Sequence, residues 1–262
     1  MGETSYLALA DASGTILSSF APTYPEQFEN VSYGVAQDGT RTSFTLIEAT
    51  ALSKVTVPIA DQGDSWIERD FDDSTWTTGT TGVGYEAGNG YESLFGQAGD
   101  LQSALFGNRT SLYLRVPFEI TDLTQASELN LRMKYDDGFV AWINGVRVAS
   151  DNAPDSLSWN SEATQNHDDG SAVQFQDFDA SAAIPRLRVG TNILAIQGLN
   201  VSNDSSDMLI LPELAGIRVA EVKSGETGYL ERPTPGALNG ASFEGFLKDT
   251  KFSVDRGFHD AP

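Results

Sequence analysis

The chain of 262 residues contains no cysteine, which excludes disulfides, thiolate metal sites and a cysteine nucleophile. Histidine is nearly absent. With only His167 and His259 present, a histidine metal centre or a Ser-His-Asp triad would rest almost entirely on His167. Neither a Gly-x-Ser-x-Gly elbow nor a phosphate-binding glycine loop occurs. Basic residues are scarce, 16 Lys and Arg against 37 Asp and Glu, and the net charge is −21. Such a field repels phosphate backbones and anionic membrane surfaces, so nucleic acid is not an expected partner. No run reaches the roughly 20 apolar residues that span a bilayer, so membrane insertion is not expected. The first residues lack a basic stretch followed by an apolar one, and no signal peptide is read there. The inventory points away from an enzyme.

What the sequence has in abundance is period-2 alternation, the mark of strands with one face buried. Leu112, Leu114, Val116, Phe118 and Ile120 fall on one face of a strand, opposite Tyr113, Arg115 and Glu119. Leu129, Leu131, Met133 and Tyr135 likewise oppose Asn130, Arg132 and Lys134. Asn144-Gly145, between two apolar runs, supplies the positive-φ pair that a tight hairpin needs. Further strands are expected within 53–59, 172–179, 191–200 and 207–219, each bounded by Gly, Pro, Asn, Asp or Ser. At 262 residues such a chain can bury a real core without disulfides. The predicted class is an all-β, antiparallel β-sandwich, with Leu112, Leu114, Val116, Leu129, Leu131, Met133, Ile193 and Leu194 between its sheets.

Four motifs in order carry a family resemblance. They are Trp66 with Asp72-Asp73-Ser74, Trp76 and Gly82-x-Gly84-Tyr85; the strand 111–120; Asp136-Asp137-Gly138 with Asn144-Gly145; and the strand pair around 190–214, whose loop ends in Ser205-Ser206-Asp207. Residues 46–219 resemble the galactose-binding-like jelly-roll domains of large secreted bacterial proteins, a fold that serves as sugar binder and as spacer alike. The flanks, 1–45 and 220–262, resemble parts of a lamin-tail-like domain into which the jelly roll is inserted, with Pro233-Thr234-Pro235-Gly236 in its closing segment. The final residues resemble the lead-in to a further repeat. The resemblance implies an internal piece of an exported, extracellular or surface-attached multidomain protein. It also implies that the hairpin at the start and the segment from Tyr229 to Pro235 pack together.

Sugar binding needs aromatic faces with amides and carboxylates beside them. Two loops offer that mixture, and the candidate ligand residues are Tyr91, Trp159, Asn160, His167 and Asp168. Trp159 lies among polar residues, whereas Trp142 lies within a strand; Tyr85 is expected in the core and Tyr91 outside it. The adjacent pairs Asp72-Asp73, Asp136-Asp137 and Asp168-Asp169 read as turn makers, because neighbouring side chains on a strand face opposite ways. Calcium takes six to eight oxygen ligands, and the loop after Asn200 gathers them. Asn203, Asp204 and Asp207 are its candidate ligands, and jelly rolls of this class often hold one such ion. Two functions follow, a non-catalytic carbohydrate-binding module held on polysaccharide, or a structural or adhesion spacer without a small-molecule ligand.

Overall fold

In the computed structural model, residues 7–20, 24–29, 31–35, 41–219, 227–230, 242, 243 and 245 are described. The strands in chain order are β1 (Leu7–Ala10), β2 (Ile16–Phe20), β3 (Ser32–Val35), β4 (Arg41–Ile47), β5 (Leu52–Thr56), β6 (Thr77–Thr80), β7 (Val83–Glu86) and β8 (Ser111–Ile120). They continue with β9 (Glu128–Asp136), β10 (Gly138–Ile143), β11 (Val146–Asp151), β12 (Gln176–Asp179), β13 (Gly190–Leu199), β14 (Asp207–Val219), β15 (Thr227–Leu230) and β16 (Ser242–Phe243). Contacts divide the chain into two units, 41–219 and the two flanks taken together.

The larger unit is an antiparallel β-sandwich. One sheet has six strands in the order β11-β10-β13-β8-β5-β6; the other has β12-β9-β14-β4, with β7 also paired to β14. Strand β14 is long enough to serve two partners on one side, β7 along Asp207–Ile210 and β4 along Leu214–Val219. The stretch between them contains Pro212, whose missing N–H is tolerated where a ladder is interrupted. Inward-facing Leu112, Leu114 and Val116 of β8 pack with Leu129, Leu131 and Met133 of β9 and with Leu194 of β13 in one core, each at most 1% exposed. Ile193, next to Leu194 on β13 and expected between the sheets, instead points the other way and is buried with Trp66, Trp76 and Tyr113. Asn144 and Gly145 take positive φ at the β10–β11 hairpin, as the dipeptide requires.

The alternation implied one buried face, and the structure buries both faces of the central strands. On β8, Tyr113 and Arg115 point away from the core and are nevertheless 3% and 1% exposed. The covering is the segment from 61 to 76, which lays Trp66 and Trp76 over the outer face of the six-stranded sheet. Arg115 makes this possible. Its Nε donates to Asp73 Oδ2 at 2.8 Å, and its Nη1 donates to the carbonyls of Trp66 and Glu68. A guanidinium taken out of water is tolerable only with such a full set of acceptors. Asp72 accepts from Ser74 N at 3.0 Å, closing the turn read from the sequence.

The flanking unit contains the hairpin β1–β2 and a three-stranded sheet in the order β16-β15-β3. In the hairpin, Asp11 Oδ1 accepts from the backbone N–H groups of Ser13 and Thr15. Strands from the two ends of the chain pair directly, Tyr33 of β3 opposite Tyr229 of β15. Rings fill its interior: Tyr229 lies 5.0 Å from Tyr33, 5.2 Å from Phe28 and 5.9 Å from Phe243, and Phe20 lies 5.7 Å from Tyr33. The closing segment 231–236 and the final residues with His259 lie outside the described residues. No helix among the described residues is long and apolar enough to cross a membrane.

Candidate functional site

The outer face of the six-stranded sheet carries an aromatic cleft. Tyr113 of β8 stacks on Trp66 with ring centroids 4.0 Å apart and planes 7° from parallel; Trp142 of β10 meets Trp66 edge-on at 5.5 Å. Trp159, from the loop after β11, completes the cluster, which holds all four tryptophans of the chain. Alternation along β10 explains Trp142: Phe139, Ala141 and Ile143 enter the core, so Trp142 faces outward and stays half-buried. These rings, with Asp61, Asp64, Ser158 and Gln197, line a cleft of about 500 Å³, within the roughly 300–1,000 Å³ usual for small-molecule sites.

The loop bearing Trp159 is fixed in place by the strands beneath it. Gln197 Nε2 of β13 donates to the Ser158 carbonyl at 2.8 Å, Thr110 to that of Asn160 at 3.0 Å, and Ser111 to that of Ser161 at 2.7 Å. Three successive anchors hold the indole without using its ring. The Arg109 guanidinium sits 5.9 Å from the Trp159 centroid. Tyr113 lines the cleft with a hydroxyl that has no hydrogen-bond partner among the described residues. Burial, reinforced by the carboxylates of Asp61 and Asp64, pushes this hydroxyl up to about 12, so it remains a proton donor at neutral pH.

The five candidate ligand residues do not form one site. Trp159 borders the cleft, and Asn160 beside it is exposed. Tyr91, expected outside the core, is 1% exposed, packed with Leu209, Leu211 and Ala172, and its hydroxyl donates to Asp136. It therefore offers no ring face for stacking. His167 stacks on Tyr135 at 4.4 Å, with Nδ1 2.8 Å from the Tyr135 carbonyl and Nε2 3.1 Å from Gln176 Nε2. Those partners call for the proton on Nδ1, and both ring nitrogens are occupied. Asp168 caps the helical turn Asp169–Ala172 by accepting from Ser171 N at 3.1 Å.

Sequence reasoning missed Trp66, Tyr113, Trp142, Asp61, Asp64 and Gln197. The available signal was the strand period itself, since outward-facing Tyr113, Trp142 and Gln197 lie on three neighbouring strands in register, Trp142 opposite Ala195 and Gln197 opposite Tyr113.

A second constellation lies elsewhere in the sandwich. Carboxylate oxygens of Asp136 at the end of β9, Asp169 on the helical turn and Asp207 at the start of β14 lie within 4.8 Å of one another. Burial pushes the Asp136 carboxyl up to about 8, its hydrogen bond with Asp137 adding to the rise and the one from Tyr91 opposing it. Burial raises Asp207 as well. Of the three residues expected to hold a metal, Asp207 belongs to this group. Asn203 and Asp204 are exposed turn residues instead: the Asn203 carbonyl accepts from Gly107 N at 2.6 Å and Asp204 Oδ1 accepts from Ser202 Oγ at 2.6 Å. The sequence separation of Asp136, Asp169 and Asp207 hid the cluster, because three distant segments supply it. An all-oxygen donor set of this kind suits a hard cation.

Neither a family model nor a curated protein matches the sequence. Solved structures do match in part. Bacteroides uniformis β-glucuronidase 2, covalently bound to cyclophellitol-6-carboxylate aziridine, aligns at 16% identity and a TM-score of 0.42, over 68% of this chain and 18% of that one. A glycosyl hydrolase family 2 member from Bacteroides cellulosilyticus aligns at 14% identity and 0.40, over 68% and 20%. An uncultured Clostridium sp. β-glucuronidase aligns at 12% and 0.40, over 76% and 31%. The chain thus spans less than a third of the length of each of these proteins.

Proposed function

We propose that the chain is a non-catalytic carbohydrate-binding module of galactose-binding-like type, working within a larger exported protein. The observation that carries this reading is the cleft lined by Trp66, Tyr113, Trp142 and Trp159 on the outer face of the six-stranded sheet. Half-buried Trp142 and Trp159 supply apolar faces for a pyranose, and Gln197, Ser158, Asp61 and Asp64 supply partners for its hydroxyls. The anchored Trp159 loop lowers the entropy lost on binding. In this reading the flanks are pieces of a lamin-tail-like domain, a reading supported by the pairing of β3 with β15.

Calcium is proposed as a structural ion at Asp136, Asp169 and Asp207. Bound there, it would neutralise three clustered carboxylates and tie β9, β14 and the helical turn together.

Affinity electrophoresis through gels containing a panel of polysaccharides tests the function. A binding module is retarded by at least one of them, and a Trp142→Ala, Trp159→Ala double variant migrates freely in the same gel. Free migration of the parent chain through the whole panel would select the spacer reading instead.

A further inference from the structure

The lining of the aromatic cleft has a charge bias. Its ionisable groups are Asp61, Asp64 and the Tyr113 phenol, and neither lysine nor arginine borders it. Both aspartates are exposed at the rim, on the segment that leads into Trp66. Tyr113 is 3% exposed as a residue and lines the cleft, and its hydroxyl has no partner among the described residues, so it can donate to a ligand there. The nearby Arg109 guanidinium sits over the Trp159 ring and is held by its own Nη1 bond to the Asn108 carbonyl at 2.8 Å. Aromatic faces attract cations through their quadrupoles, and carboxylates beside them add to that attraction. A net charge of −21 concentrates cations near the surface and repels anionic sugars.

Resting on the carbohydrate reading, we propose that the cleft prefers a pyranose bearing an ammonium group, a glucosamine-type residue, over neutral sugars and uronates. The ammonium would lie between the rim carboxylates of Asp61 and Asp64 and the half-buried indole of Trp142, the Trp159 ring being already faced by Arg109. The ring hydroxyls would then meet Tyr113, Ser158 and Gln197. A uronate in the same place would set its carboxylate against two others. Rejection is therefore as much part of the selectivity as attraction.

The test is calorimetric titration of the whole chain with trimers of glucosamine, N-acetylglucosamine, glucose and galacturonic acid at moderate salt. The glucosamine trimer should bind about tenfold more tightly than the neutral trimers, the size expected of one cation–π contact joined by an exposed ion pair, and the uronate trimer should not bind. An Asp61→Asn, Asp64→Asn variant should bring the ratio of glucosamine to glucose affinity from about ten to about one, while Trp142→Ala should lose the binding of both. Equal affinity for glucosamine and glucose, unchanged by the Asp→Asn pair, would overturn the proposal and leave carbohydrate binding standing. Glucosamine binding that survives Trp142→Ala would also overturn it, because bulk charge alone would then explain the affinity. Failure of every trimer and of every polysaccharide gel would remove the carbohydrate reading itself.

Discussion

Two loop aromatics that look alike in sequence end in opposite places. Tyr91 and Trp159 both sit in polar loop stretches with an amide and a carboxylate close by, yet Tyr91 is sealed inside and Trp159 borders an open cleft. The difference lies in the strands beneath them. Under Tyr91, β14 presents outward-facing Leu209 and Leu211, and Asp136 takes its hydroxyl, so ring and polar tip are both satisfied within the protein. Under Trp159, β8 and β13 present Ser111 and Gln197, which bind the loop's carbonyls and leave the ring to a cluster of other rings. The outward face of the underlying strand therefore decides whether a loop aromatic becomes core or platform.

The sharpest way to break that comparison is to remove what holds the platform's floor. Arg115→Met should cost about 3–5 kcal/mol, because Asp73 and two carbonyls lose a buried partner. Urea denaturation gives the number, and the surviving folded protein should have lost its sugar affinity as the Trp66 segment loosens. A loss below about 1 kcal/mol would mean that the clamp is not what fixes the segment.

The next effect separates the two aromatics directly. Tyr91→Phe strands the buried Asp136 carboxyl and should cost about 1–3 kcal/mol while leaving sugar binding intact. Trp159→Ala should show the reverse, a cost of about 1–2 kcal/mol for a half-buried ring and loss of most binding. Matching effects of the two variants on binding would dissolve the distinction.

Much of the fold was legible because alternation is a local signal. Leu112 to Ile120, Leu129 to Tyr135 and the Asn144-Gly145 turn each declare themselves within about ten residues. The cleft was only half legible. Trp159 stood out by its polar neighbours, but Tyr113, Trp142 and Gln197 meet only because β8, β13 and β10 are adjacent, and that order is set by long-range pairing. The same holds for Asp136, Asp169 and Asp207, whereas the run from Asn203 to Asp207 drew attention by proximity in the chain and proved mostly a turn.

A smaller effect distinguishes those two acidic readings. Calcium should raise the melting temperature with the logarithm of its concentration, worth about 2.7 kcal/mol at a hundredfold excess over the dissociation constant. Asp207→Asn should abolish the rise, and Asp204→Ala should leave it unchanged. With chelator present, stability should fall as pH rises from the ordinary carboxyl value of 3.8 towards about 8, because over that window the folded state keeps a proton on Asp136 that the unfolded chain releases. A melting temperature indifferent to calcium and chelator would leave the three carboxylates with a structural role only.

The most direct measurement uses the fact that all four tryptophans, Trp66, Trp76, Trp142 and Trp159, belong to the cluster that forms the cleft. Intrinsic fluorescence therefore reports on this region. Titration with an oligosaccharide of a polymer that retards the chain in gels should shift the emission and protect it from acrylamide quenching, with a midpoint equal to the calorimetric affinity. Sugar binding by calorimetry with unaltered emission and quenching would contradict the account and place the site elsewhere on the molecule.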